Sequence, residues 1–243
     1  MGYFVKINDN LTKHYEAQDT KDAFKNFLSF AYGLKFHKIN YVSDGYCKEI
    51  YFDTQNHLLN SSGIILSRFQ EANNVFFKVE NTTELAKKIN IKDKKIYVHK
   101  VGTTDKISDH AFYIREGIES LYSTPFSIDL ENVINSATAK MEVTIKAQIY
   151  ELISGTGMKA KIALENKTVK NFETKRKYNV LSLTLKLDSN PTLYLDDFTQ
   201  LNNNIQKNCK QFLEINEHQF DFATNVTKPI IKEIPKKKEK KNI

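Results

Sequence analysis

The chain has 243 residues, 40% of them hydrophobic and 27% charged, with a formal net charge of +7. That composition supports a packed core, in one large domain or two small ones. It excludes a membrane-spanning helix, because no apolar run is long enough, and a cysteine metal site, because Cys47 and Cys209 fit no ligand spacing. Much of the charge excess sits in KEIPKKKEKK at 232–241, which reads as a solvated, disordered tail over 223–243. The rest, 1–222, reads as one domain and is only mildly basic. Met1-Gly2 lacks the serine or threonine of a myristoylation motif, since position six is Lys6. No signal pattern opens the chain, which points to the cytoplasm and away from a membrane partner.

Residues 3–8, YFVKIN, read as a short strand. Residues 19–33 read as an amphipathic helix, capped by Asp19 or Thr20 and ended by Gly33, with Ala23, Phe24, Phe27, Leu28 and Ala31 facing the core. FHKINYVSDGYCKEIYFDT then shifts to period two and predicts two strands around a Ser43-Asp44-Gly45 turn. GIILSRF and VFFKVE predict a second hairpin around Ala72-Asn73-Asn74. A short helix over 82–89, a strand at IYVHKV and a helix over 126–138 follow.

The second half alternates more strictly. MEVTIKAQIYELI and MKAKIALENKTV flank Gly155-Thr156-Gly157 as a hairpin. RKYNVLSLTLKLD is one long strand, with Ser182, Thr184 and Lys186 opposite its leucine face. After Pro191 a helix is expected from about Asp196. The expected class is α+β, an antiparallel β-barrel with flanking helices. In a barrel one strand face packs on helices and the other lines a lumen. Lys6, Lys78, Lys146 and Lys186 would then gather inside and suit a multivalent anion; on an open sheet the same faces would simply meet water.

Several stretches, in the same order along 1–215, resemble the CYTH superfamily, or triphosphate tunnel enzymes, and above all their inorganic triphosphatase branch. YFDTQNHLL, Gly63 and ILSRF resemble its Tyr-Phe-Asp-Thr…Gly…Leu-Arg-x-Arg segment. KIALENKTVKN and VLSLTLKL resemble its two closing strands, and LYLDDFTQL the helix after them. The resemblance implies an eight-stranded antiparallel tunnel in which basic residues hold triphosphate and glutamates hold a divalent metal.

Carried over position by position, the family's basic residues fall on Lys6, Lys78, Arg115 and Lys146. The Leu-Arg-x-Arg arginines fall on Ser67 and Phe69, with Arg68 between them. One residue of offset means the other face, unless a bulge re-aims Arg68 inward. The family's glutamates fall on Gly2, Phe4, Gly117, Lys161, Ser182 and Thr184. Glu142 and Glu165 remain as weak metal candidates, with Glu80 and Asp188 as further carboxylates for a divergent site. The resemblance therefore implies a polyanion-binding protein, for triphosphate, polyphosphate or a nucleotide, that has lost metal-dependent hydrolysis. No cofactor is expected, or Mg or Mn if catalysis persists. The alternatives are an active divergent triphosphatase and a protein-interaction scaffold. No nucleic-acid partner is expected, because the tyrosines and phenylalanines fall at core spacing and not as a stacking platform. The six histidines show no paired spacing, and GTGMK at 155–159 lacks the phosphate-loop spacing. Phe4, at a lumen position, could plug a tunnel.

Overall fold

The period-two segments pair into one antiparallel sheet. The computed structural model describes residues 11–17, 22–34, 37–81, 96–121 and 129–215. Nine strands lie within them: β1 Thr12–Ala17, β2 His37–Asp53, β3 Ile64–Glu71, β4 Asn74–Asn81, β5 Ile96–Val101, β6 Thr138–Ser154, β7 Lys159–Asn171, β8 Arg176–Leu187 and β9 Phe212–Ile215. Their order across the sheet is β5-β4-β3-β2-β6-β7-β8-β1-β9. The described strands do not join β5 to β9, so among the described residues the sheet is not strictly closed. Among the described residues five α-helices flank it: α1 Ala23–Tyr32, α2 Leu58–Ser61, α3 Ala111–Leu121, α4 Leu130–Asn135 and α5 Pro191–Asn208. None is long and apolar enough to cross a membrane.

The α+β class and the two long hairpins, β3–β4 and β6–β7, are as the alternation predicts. The turn predicted at Ser43-Asp44-Gly45 is not there. Asp44 and Gly45 pair directly with Gln148 and Ala147, so HKINYVSDGYCKEIYFD, His37–Asp53, runs through as one strand. The irregularity those residues signal is a register shift between Tyr41 and Ser43, a bulge and not a reversal. The last helix begins at Pro191, earlier than predicted, because Asn190 caps it by accepting the Thr192 amide at 3.0 Å. The helix expected over 126–138 is described from Leu130 and stops at Asn135, with Asp129 as its cap, because β6 begins at Thr138. Helix α3 and strands β1 and β9 were not expected. YFVKIN, the 82–89 helix, Lys6 and the 223–243 tail lie outside the described residues.

The helices cover one face of the sheet in two groups. Helices α1 and α5 pack on β7, β8 and β1, with Phe27, Ala31, Phe198, Leu201 and Ile205 against Ile162, Leu164, Leu183 and Leu185. Helices α3 and α4 pack on β3 and β4, with Ile114, Ile118, Val133 and Ile134 against Ile64, Leu66, Phe77 and Val79. Gly117, where the resemblance sets a family glutamate, lies on α3 against the ring of Tyr97 on β5. A β-carbon there would overlap that ring, so glycine is what lets the helix approach the sheet. Replacing Gly117 with Ala should cost about 1–3 kcal/mol, read as a lower midpoint in urea with an unchanged slope. An unchanged midpoint would show that α3 does not sit this close to β5.

Candidate functional site

The face away from the helices is also buried. Cys47, Tyr51, Ile65, Phe69, Met141, Val143, Ile145, Ala147, Ile149, Ala163 and Val169 form a core in which, among the described residues, every member is on a strand. No described helix lies over them; a sheet that curls over its own inner face buries such side chains. Cross-strand register adds Glu49, Ser67, Lys78, Glu80, Glu165, Lys167, Ser182 and Thr184 to the same face. All of these except Lys78 are buried.

Counted among the described residues, they form two similar clusters. In the first, Glu49 on β2 accepts from three donors: Ser67 Oγ at 2.7 Å and Lys78 Nζ at 2.6 Å on Oε1, and the Tyr51 hydroxyl at 2.8 Å on Oε2. Lys78 also reaches Glu80 at 2.5 Å and lies 5.7 Å from the centre of the Phe69 ring. Burial alone would lower the Lys78 pKa, but the two carboxylates outweigh it and hold the ammonium above the usual lysine range. Burial, and then Glu49 and Glu80, push the Tyr51 phenol well up, so it remains a donor. In the second cluster Glu165, 0% exposed, also accepts from three donors: Ser182 Oγ at 2.9 Å and Lys167 Nζ at 3.0 Å on Oε2, and Thr184 Oγ1 at 3.0 Å on Oε1. His14 on β1 joins through Nδ1 to Thr184 Oγ1 at 3.1 Å. In each cluster one ammonium and two hydroxyls converge on one carboxylate.

The predicted site residues are scattered by this register. Lys78 and Glu165 are on the inner face, in different clusters, and Lys186 shares that face. Lys146 is not: it pairs with Tyr46 on the outer face and is exposed. Arg68 also points outward. Strands β3 and β4 pair without a register shift from Ile64 to Glu71, so no bulge re-aims it, and its guanidinium donates to the carbonyls of Gly102 and Thr103. Arg115 is on helix α3, 3.7 Å from Glu119 and over the Phe112 ring, not on a strand. Glu142 is on the outer face between Lys48 and Lys170, each at 2.7 Å. Asp188 pairs with Lys161 at 2.9 Å past the end of β8.

The Asp53-Thr54 pair has a structural task. Asp53 accepts the amides of Leu59 at 2.9 Å and Asn60 at 3.0 Å, and Thr54 Oγ1 accepts that of Leu58 at 3.0 Å, so together they hold the first turn of α2.

The acidic side of the inner face is richer than expected. Glu49 was not among the candidates, yet it centres the first cluster. A period-two signal marks it: Glu49 precedes Tyr51 by two residues, as Lys78 precedes Glu80 and Glu165 precedes Lys167. The divalent metal that the tunnel resemblance implies does not fit this set. Among the described residues no three histidine, cysteine or carboxylate side chains converge. The Lys78 ammonium stands where a cation bridging Glu49 and Glu80 would sit.

No family model and no curated protein matches the sequence. Solved structures do. A candidate adenylate cyclase from Bacillus halodurans aligns at 11% identity and a TM-score of 0.50, over 87% of this chain and 95% of that one. A candidate adenylyl cyclase from Hippeastrum, with a dominant triphosphatase activity, aligns at 9% identity and a TM-score of 0.52, over 91% and 98%. At these identities the likeness is one of fold: the chain has the CYTH, or triphosphate-tunnel, fold.

Two expectations follow. Replacing Lys78 with Met takes the ammonium away from two buried carboxylates and should cost about 3–5 kcal/mol; adding Glu49→Gln and Glu80→Gln should restore most of that. A single variant as stable as the parent would contradict the pairing. Glu142 behaves differently. Burial would raise its pKa, but hydrogen bonds from Lys170 and Lys48 win and hold it below the usual glutamate value. A lowered folded pKa contributes stability above the unfolded value and loses it as pH falls through the folded one. Glu142→Gln should therefore lower Tm at pH 7, by an effect of up to about 1 kcal/mol, and the gap should close as pH falls below the carboxylate range.

Proposed function

We propose that this tunnel-fold protein binds a phosphate-rich anion, such as triphosphate, polyphosphate or a nucleotide, on its inner face, and does not hydrolyse it through a resident metal. The observation that carries this reading is the pair of three-donor clusters around Glu49 and Glu165. A buried ion pair is on balance no more stabilising than apolar packing of the same volume. Ionisable groups held in a concave, otherwise apolar face are a mark of a binding site. One ammonium and two hydroxyls are also a donor set that suits the oxygens of one phosphate group. The dominant triphosphatase activity of the Hippeastrum protein, which shares the fold, agrees with such a ligand.

Glu49 and Glu165 act in this reading as internal anions that fill the clusters in the absence of ligand. An entering phosphate takes over the Lys78, Ser67 and Tyr51 donors, or those of Lys167, Ser182 and Thr184, and the displaced carboxylate loses them. The donors are already in place, so their ordering costs little. Moving the carboxylate costs more and keeps the affinity modest. The described set does not favour hydrolysis, because Glu49, Glu80 and Glu165 are each paired with a lysine ammonium.

Calorimetric titration with tripolyphosphate in the presence of Mg²⁺ tests the reading. Heat should saturate, with no continuing release from turnover. Lys78→Met with Lys167→Met should abolish it. Glu49→Gln with Glu165→Gln should tighten binding roughly tenfold, or about 1.4 kcal/mol, by removing the internal competitors. Heat that continues after saturation would show an active triphosphatase. No heat would overturn the proposal and leave the fold as a scaffold for a protein partner.

A further inference from the structure

The outer face of the sheet is not covered evenly. Between the α1–α5 layer and the α3–α4 layer, no described helix packs on Tyr46 and Lys48 of β2, Glu142 to Lys146 of β6, Asn166 to Lys170 of β7, or Lys177 and Asn179 at the start of β8. Cross-strand register places three rows there. Glu142, Lys170 and Lys177 form one; Lys48, Thr144, Thr168 and Asn179 the next; Tyr46, Lys146 and Asn166 the third. Lys146, Lys170, Lys177, Asn166 and Asn179 are exposed. Tyr46 is 47% exposed although it lies mid-strand.

We infer that this face is a binding surface for single-stranded nucleic acid, separate from the inner face. Charge points to a polyanion. Four lysines face two carboxylates, Glu142 and, at the margin, Asp44. Glu142 is already shared by Lys48 and Lys170, and no ion pair engages Lys146 or Lys177 among the described residues. Strand spacing sets Lys170 and Lys177 about 5 Å apart, and Lys48 and Lys146 about 8 Å apart, at their backbones. The lysines therefore lie in a track across the strands, not at one point. The aromatic and amide groups among them choose between polyanions. Tyr46 offers a ring face beside Lys146 and Lys48 on which a base can stack, and Asn166 and Asn179 offer donors and acceptors to base edges. An acidic protein segment would use the lysines and leave that ring idle. The tyrosines do not all fall in the core, as their spacing suggested; Tyr32, Tyr41, Tyr46 and Tyr113 are exposed, and Tyr46 is the one among the lysine rows.

The test is fluorescence anisotropy of the full chain with a labelled 12-nucleotide oligouridylate over a salt series, beside a polyglutamate probe. The expected result is oligonucleotide binding that Lys146→Glu with Lys177→Glu weakens at least tenfold. The same variant should flatten the slope of log affinity against log salt by about one to two. Tyr46→Ala should weaken binding at least roughly fivefold, while circular dichroism melting stays unchanged for these exposed positions. Tripolyphosphate titration should be unaffected in the double variant, which separates this surface from the inner face. Three outcomes would overturn the assignment. One is no oligonucleotide binding at low salt. Another is binding that ignores the lysine substitutions, which would place it elsewhere, such as the basic 223–243 segment. The third is polyglutamate binding of equal strength with no effect of Tyr46→Ala, which would make the partner an acidic protein.

Discussion

Curling an antiparallel sheet over its own face forces each charge buried inside to find a partner. Water cannot serve it there, and an unpaired ion in that environment is too costly to keep. Glu49, Glu80 and Glu165 meet this demand with Lys78 and Lys167, assisted by the hydroxyls of Tyr51, Ser67, Ser182 and Thr184. The helices can then be confined to the outer face, because the inner one closes without them. The same constraint explains the chemistry of Ser182 and Thr184. At these positions, where the sequence resemblance expects glutamates, hydroxyls donate to Glu165 on the next strand, and Lys167 neutralises it.

That displacement is why reading the chain one motif at a time undercounts its inner carboxylates. Matching motif letters finds lost glutamates at Ser182 and Thr184 but cannot see Glu165 as their partner, since the two strands meet only through the β7–β8 register. Lys146 and Arg68 show the converse. Each is the right residue type near the right place, yet each is one position out of phase with its inner neighbour, Ile145 or Ser67. In a pleated strand that single step is the difference between two faces.

The two faces of the sheet thus divide the labour. Inside, charge is paired and shielded; outside, between the two helical layers, lysines and Tyr46 meet solvent. The strand β2 joins them, presenting Glu49 and Tyr51 inward and Tyr46 and Lys48 outward within six residues. Its unbroken length depends on the bulge near Val42, which takes up the irregularity of Ser43-Asp44-Gly45 without ending the ladder.

By itself the sequence determined the α+β class, the two long hairpins, the core stripe of α1 and the apolar face of β8, because hydrophobic period and turn chemistry are local properties. It also carried the order of motifs that resembles the tunnel fold. Only the tertiary structure decided which carboxylates share the inner face, which way Arg68 and Lys146 point, that Asp53 caps α2, and that no described helix covers the outer face between the two helical layers. Those depend on register between strands far apart in the chain and on where helices end, and neither is encoded in the neighbours of any one residue.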